Sequence, residues 1–243
     1  MLKTDISGID PDQWFDFSEH FTSSELRAIL SHNDGVQPKR PIAETRSRLI
    51  SALEIESARV AIPHQVHGAH VEIARPGQIH QHTDGLFTQE RETVLTLQVA
   101  DCSPMYFNHP KSGWRGLVHA GWRGAASGIM DASLDLLKSV GCEPAELEVV
   151  IGNCIGQECY EVGPEVVANF PADVWTAGEG DRAQLDLSAA LMGQLVAGGV
   201  RLEKIYTSPI CTKCDERCHS FRRDGIKAGR MIALQYYAEE ELI

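Results

Sequence analysis

The chain has 243 residues, 43% hydrophobic and 23% charged, and a formal net charge of −12 at pH 7. That composition allows a sizeable core and carries no signature of disorder. The acidic balance argues against gripping a nucleic-acid backbone, which needs a basic footprint. No apolar run reaches the roughly 20 residues that span a bilayer. Residues 1–8 carry no basic-then-apolar leader, so the expected location is the cytoplasm, with no membrane partner. Seven cysteines, an odd number without an export signal, favour thiol, thiolate or metal roles over a disulfide framework.

In chain order, residues 23–30 read as a short helix, with Leu26, Ile29 and Leu30 on one face. Residues 31–35 read as a turn, and 42–53 as a stronger amphipathic helix. Short β-prone runs follow at 59–62 and 70–74, joined by a tight connection at 65–68. Asp84-Gly85 is a turn signal within 83–88. Residues 94–99 read as a strand ending at Asp101-Cys102, and Met105 to Phe107 extend it past Pro104. A strand at 116–119 ends at His119, and a helix is expected from about 125 to 140, stopped by Gly141. Beyond it come a strand at 147–151, helices at 162–170 and 188–196, and strands at 204–207 and 230–237. Strands and helices are interspersed, with no internal repeat and no Walker or dinucleotide fingerprint. The expected fold is α/β (α+β): a layered α/β/α sandwich with a mixed central sheet, one domain over residues 1–243.

Three residues close apolar runs beside small or glycine residues: His67, Cys102 and His119. Strand-end loops would display them together. Two imidazoles and a thiolate suit zinc, and three protein ligands leave the fourth position open, which is the catalytic arrangement. Asp101 is placed to orient a ligand. The same residues permit a metal-free dyad, Cys102 as nucleophile and His119 as base, or simply a buried thiol and two histidines with satisfied hydrogen bonds. A second group, Cys211, Cys214, Cys218 and His219, could form a structural metal site if Cys154 or Cys159 joins it; scattered thiols are the alternative. Arg123, which follows Trp122 in a glycine-flanked turn at the start of a helix, Arg222-Arg223 and Arg230 could hold phosphate or carboxylate, or serve as ordinary surface ion pairs.

At residues 65–68, 100–104, 119–124 and 221–225 the chain resembles the laccase-domain (YfiH-type) family, once labelled polyphenol oxidase and described as zinc-dependent purine nucleoside phosphorylases. Residues 151–156, 160–163 and Cys211-Thr212 also fit, so the likeness runs in order from about 59 to 237, with residues 1–45 matching weakly. The resemblance implies that His67, Cys102 and His119 ligate zinc. It implies phosphorolysis of adenosine, inosine, guanosine and methylthioadenosine, with adenosine deamination as a second activity. It also implies a layered fold related to the cytotoxic necrotizing factor catalytic domain. The chain departs from the family at His32, where an arginine is expected, and at Asn153, where proline is usual. On this reading the substrates are a purine nucleoside and phosphate, Arg123, Arg222 and Arg223 could hold the anion, and the chain is a monomer or weak oligomer. The rivals are a metal-free Cys-His hydrolase or amidase, a copper polyphenol oxidase, for which one Cys-His-His set offers few ligands, and a non-enzymatic binding domain.

Overall fold

The strand Met231–Tyr237 shows how the layers arise. Met231 and Ala233 face one core, while Ile232 and Leu234 face another. A strand with apolar residues at both parities must be covered on both faces. The same alternation recurs in Ser103–His109, where Met105 and Phe107 pack on one side and Tyr106 on the other.

The computed structural model describes residues 14–32 and 42–238. In chain order the elements are β1 (Trp14–Asp16), β2 (Leu26–Ser31), α1 (Ile42–Ala52), β3 (Val60–Pro63), β4 (Val71–Ile73), β5 (Ile79–His80), β6 (Gly85–Thr88), β7 (Val94–Val99), β8 (Ser103–His109) and β9 (Trp114–Ala120). They continue with α2 (Trp122–Ala126), α3 (Ile129–Ser139), β10 (Glu148–Ile151), β11 (Glu161–Val162), α4 (Pro164–Val167), β12 (Trp175–Ala177), β13 (Ala183–Leu185), α5 (Leu187–Ala197), β14 (Ile205–Thr207), α6 (Phe221–Asp224) and β15 (Met231–Tyr237). One mixed sheet has the order β1-β2-β15-β7-β3-β5 and the other β14-β10-β8-β9-β6-β4; β11-β13-β12 form a small third sheet.

The mixed α/β class is as expected, but the central layer is two sheets rather than one. Leu95, Leu97 and Val99 of β7, Ala28 and Leu30 of β2, Tyr106, Leu117 and Val150 fill the space between them. Helices α3 and α5 cover the outer face of the β8-containing sheet through Met130, Leu134, Leu137, Leu191 and Leu195. Helix α1 covers the outer face of the other sheet through Ile50. The Tyr106 hydroxyl donates to the Ile29 carbonyl at 2.8 Å and the Gln235 amide nitrogen to the Phe107 carbonyl at 3.0 Å, tying the two sheets together.

Three expectations change. Residues 26–31 form a strand, not a helix: Leu26, Ala28 and Leu30 face the inter-sheet core and Ile29 the opposite one, a period of two in a run interrupted only by Arg27 before Ser31. Met105 to Phe107 do not prolong β7; the chain leaves one sheet after Val99 and enters the other at Ser103. The long helix at 125–140 is two helices broken at Gly128, whose φ of 85° is left-handed. Of the turn expected at 31–35, residues 33–35 lie outside the described residues, as do 33–37 of the segment that departs from the family around His32.

Gly116 sits opposite Phe87 across β9 and β6, and a Cβ there would lie 2.1 Å from the Phe87 ring. Gly116→Ala should therefore destabilise the fold by about 1–3 kcal/mol, read as a lower midpoint in urea unfolding with an unchanged slope.

Candidate metal and thiolate site

The crossing between the sheets creates the site. Asp101 takes a left-handed φ of 78° in the crossing segment, and Cys102 follows it. Register on the far sheet pairs Pro104 with His119, so His119 at the end of β9 lies beside the crossing. His67 arrives from the loop after β3. The Gln65 side chain ties that loop to β7, donating to the Gln98 carbonyl and accepting from the Gln98 amide, both at 2.9 Å.

The one residue that gathers these pieces is Asp84, which sequence reasoning treated as part of a turn. It is fully buried at the mouth of β6. Its carboxylate accepts from the backbone amides of Val66 (3.1 Å), His67 (2.9 Å) and Gly68 (2.8 Å), and from His119 Nδ1 at 2.8 Å. Three successive amides converge because His67 adopts a left-handed φ of 61°. Burial raises the Asp84 carboxyl, but the His119 hydrogen bond and charge and the loop amides outweigh it and hold it below the usual range. An acidic residue opening an otherwise apolar strand was the available signal.

With Nδ1 engaged by Asp84, His119 turns Nε2 to the site. The donor atoms of His67, Cys102 and His119 lie within 4.8 Å of one another. Tetrahedral zinc places such atoms roughly 3.3–3.6 Å apart, so closure onto an ion is a matter of about an ångström. Two imidazoles and a thiolate, oriented by a carboxylate from behind, fit such an ion. Gly121 leaves the room: a Cβ there would lie 2.6 Å from Cys102 Sγ. Burial pushes the Cys102 thiol up, but the charge on His119 and hydrogen bonds from His119 and His67 bring it down to about 6. Burial lowers His119, while the Cys102 thiolate and the Asp84 hydrogen bond raise it to about 9. The pair is therefore a thiolate and an imidazolium at neutral pH when no cation replaces the proton.

The remaining candidates separate. Asp101 does not touch a histidine; it accepts from Thr212 Oγ1 and the Arg222 amide, both at 2.6 Å. The ligand-orienting carboxylate is Asp84 instead. Arg222 donates to the Glu161 carbonyl and lies 5.1 Å from the Tyr160 ring centre. Arg123 lies over the Trp122 ring at 4.4 Å. The Tyr160 hydroxyl is raised first by burial and then by the Cys102 charge, against the opposing fields of Arg222 and Arg123. Arg223 closes its own arm, donating to the carbonyls of Thr212, Lys213, Asp215 and Cys218 and to Asp224. Arg230 likewise serves local carbonyls, those of Ala228 and Gly229. Cys218 is buried beside Asn153, and His219 packs on Gly229, so neither joins Cys211 and Cys214; Cys159 does.

Fold and site together define the class: the chain belongs to the family described as multi-copper polyphenol oxidoreductase laccase, whose model matches residues 28–237. Among its relatives is the purine nucleoside phosphorylase YlmD of Geobacillus stearothermophilus, 35% identical over 82% of this chain and 80% of that protein. The crystal structure of YlmD superposes with a TM-score of 0.87, covering 95% of this chain and 98% of that one. A purine nucleoside phosphorylase of Deinococcus radiodurans is 34% identical over 85% of this chain and 81% of its own length. A protein named adenosine deaminase RL5, from an unknown prokaryotic organism, is 28% identical over 78% of this chain and 79% of its own.

Chelator-treated protein tests the electrostatics. Because the Cys102 pKa is depressed, the reactive thiolate is present above about 6 and lost as pH falls through it. Iodoacetamide labelling of Cys102, followed by peptide mass spectrometry, should show a midpoint near pH 6. His119→Ala should move that midpoint up toward the ordinary 9.0. Asp84→Asn keeps the shape but leaves His119 and three amides without their anion, and should weaken metal binding roughly 10–100-fold, measured by competition with a chromogenic chelator.

Proposed function

We propose that this chain is a zinc-dependent purine nucleoside phosphorylase acting on adenosine, inosine, guanosine and methylthioadenosine, with adenosine deamination as a second activity. The observation that carries it is the convergence of His67, Cys102 and His119, backed by Asp84, in a chain whose relatives carry phosphorylase and deaminase names. A zinc ion held by these three side chains would supply a Lewis acid with one open position for an oxygen of the nucleophile or substrate. The residues do the rest. Asp84 fixes the His119 tautomer so that Nε2 faces the site. Arg222 beside Tyr160 and Arg123 over Trp122 supply positive charge where a phosphate would be held for attack on the ribose anomeric carbon. Arg223 already serves the carbonyls of its own arm, so we leave the anion to the other two. Asp101 holds the Arg222 backbone and thereby places that guanidinium. The Trp122 and Tyr160 rings offer apolar faces against which a base could pack.

A second reading has an observation of its own. Cys102, His119 and Asp84 are ordered as nucleophile, base and orienting acid, the arrangement of a metal-free thiol hydrolase. Copper, which the family description names, is the alternative metal for the same ligands.

One experiment separates these. Zinc-loaded, copper-loaded and chelator-stripped protein is incubated with adenosine or inosine, with and without phosphate, and products are resolved by chromatography. We expect base and ribose 1-phosphate only with zinc and phosphate, and inosine from adenosine without phosphate. Full activity in stripped protein would sink the zinc reading. Arg222→Ala should raise the KM for phosphate about tenfold, as loss of a charge-assisted contact predicts, with less effect on kcat.

A further inference from the structure

Outside the site just described, a second set of soft donors comes together. Cys159, from the turn that precedes Tyr160, meets Cys211 and Cys214, and their sulfur atoms lie within 4.8 Å of one another. Cys159 Sγ and Cys214 Sγ are 3.3 Å apart. Two adjacent thiolates on tetrahedral zinc stand roughly 3.8 Å apart, whereas a disulfide needs about 2.05 Å. The third sulfur decides between these. Cys211 Sγ accepts the Gly156 amide at 3.2 Å, while the Cys214 amide closes the local turn on the Cys211 carbonyl. A Cys159–Cys214 disulfide would leave Cys211 outside the bond, whereas a cation engages all three gathered sulfurs. Three thiols on two segments, with their sulfurs gathered this closely, are a ligand set for a thiophilic cation.

We propose that Cys159, Cys211 and Cys214 form a second metal site for zinc, with solvent in the fourth position on the exposed Cys214 side. The ion would clip the segment around 154–160 to the arm at 208–223. Those two segments are also joined by a parallel backbone β-bridge that pairs residue 154 with residue 211, by the Thr212 amide on the Cys154 carbonyl and by Arg222 on the Glu161 carbonyl. Both flank Cys102: the Ile155 amide donates to the Asp101 carbonyl, and Thr212 and Arg222 bind the Asp101 carboxylate. The clip is therefore a positioning device for the arm and takes no part in chemistry.

The site stands independently of the activity proposed above, and its test counts metal. The full, reduced chain is reconstituted with zinc sulfate, freed of excess by gel filtration and assayed by plasma mass spectrometry. We expect about two zinc ions per chain in the wild type and about one in each of Cys214→Ser and Cys102→Ser. Cobalt gives a second readout: Cys102→Ser should keep strong thiolate-to-cobalt absorption that Cys102→Ser/Cys214→Ser loses. If circular dichroism shows Cys214→Ser unfolded, Cys159→Ser is read in the same way. Hydrogen exchange across 211–223 should slow on zinc loading in Cys102→Ser and not in the double variant. Zinc content unchanged by Cys214→Ser, or zinc absent from Cys102→Ser, overturns the site. A disulfide between Cys159 and Cys214 in protein prepared without reductant, with zinc content equal to that of reduced protein, also overturns it. One zinc in the wild type that Cys214→Ser removes and Cys102→Ser does not would uphold this site and sink the first.

Discussion

The Asp84 carboxylate is the constraint on which the site depends. Among the described residues no lysine or arginine touches its oxygens; three loop amides and one imidazole satisfy it instead. A buried charge that satisfied this way is stable only while every donor stays in place. The loop bearing His67, the strand bearing His119 and the start of β6 are thus held to one anion. The left-handed backbone at His67 belongs to the same arrangement, because an extended residue there would aim its amide elsewhere.

The two sheets extend that constraint outward. Cys102 sits where the chain passes from β7 to β8, so its position depends on how the sheets stack. The stacking is set by the alternating apolar residues of β2, β7, β8 and β15 and by the Tyr106 and Gln235 hydrogen bonds between layers. On the other side, Asp101 reaches from the same crossing to Thr212 and Arg222. One short segment therefore joins the core, the ligand cluster and the basic arm.

Much of this was legible in the residues. Apolar runs ending at Cys102 and His119 located two of the gathered side chains, the helix at 42–52 follows its periodicity, and the helix at 187–197 lies where 188–196 was expected. What escaped was tertiary. The run at 26–31 is apolar at every parity that matters, so helical and strand spacings could not be told apart until both faces were seen to be covered. Asp84-Gly85 has the composition of a surface turn, yet lies buried because its partners come from residues 66–68 and 119. Arg223 looked like an anion ligand beside Arg222, but no local pattern reveals that nearby carbonyls take up its guanidinium. Cys154 and Cys159 were both open as partners of Cys211 and Cys214, and across more than fifty residues only the fold selects Cys159.

Chain separation also gives the two sulfur-containing clusters different thermodynamic characters. His67, Cys102 and His119 are spread along the sequence, and Asp84 orients them only after both sheets have formed. An unfolded chain offers no such chelate. Ion binding there would act purely by mass action on the native state, raising stability with the logarithm of free metal and leaving the order of folding events untouched. Cys211 and Cys214 are a local pair within one turn and present two donors even in a disordered chain. Affinity of that pair for an ion would be shared between folded and unfolded ensembles. Unfolding midpoints would then track free metal less steeply at this cluster than at the first.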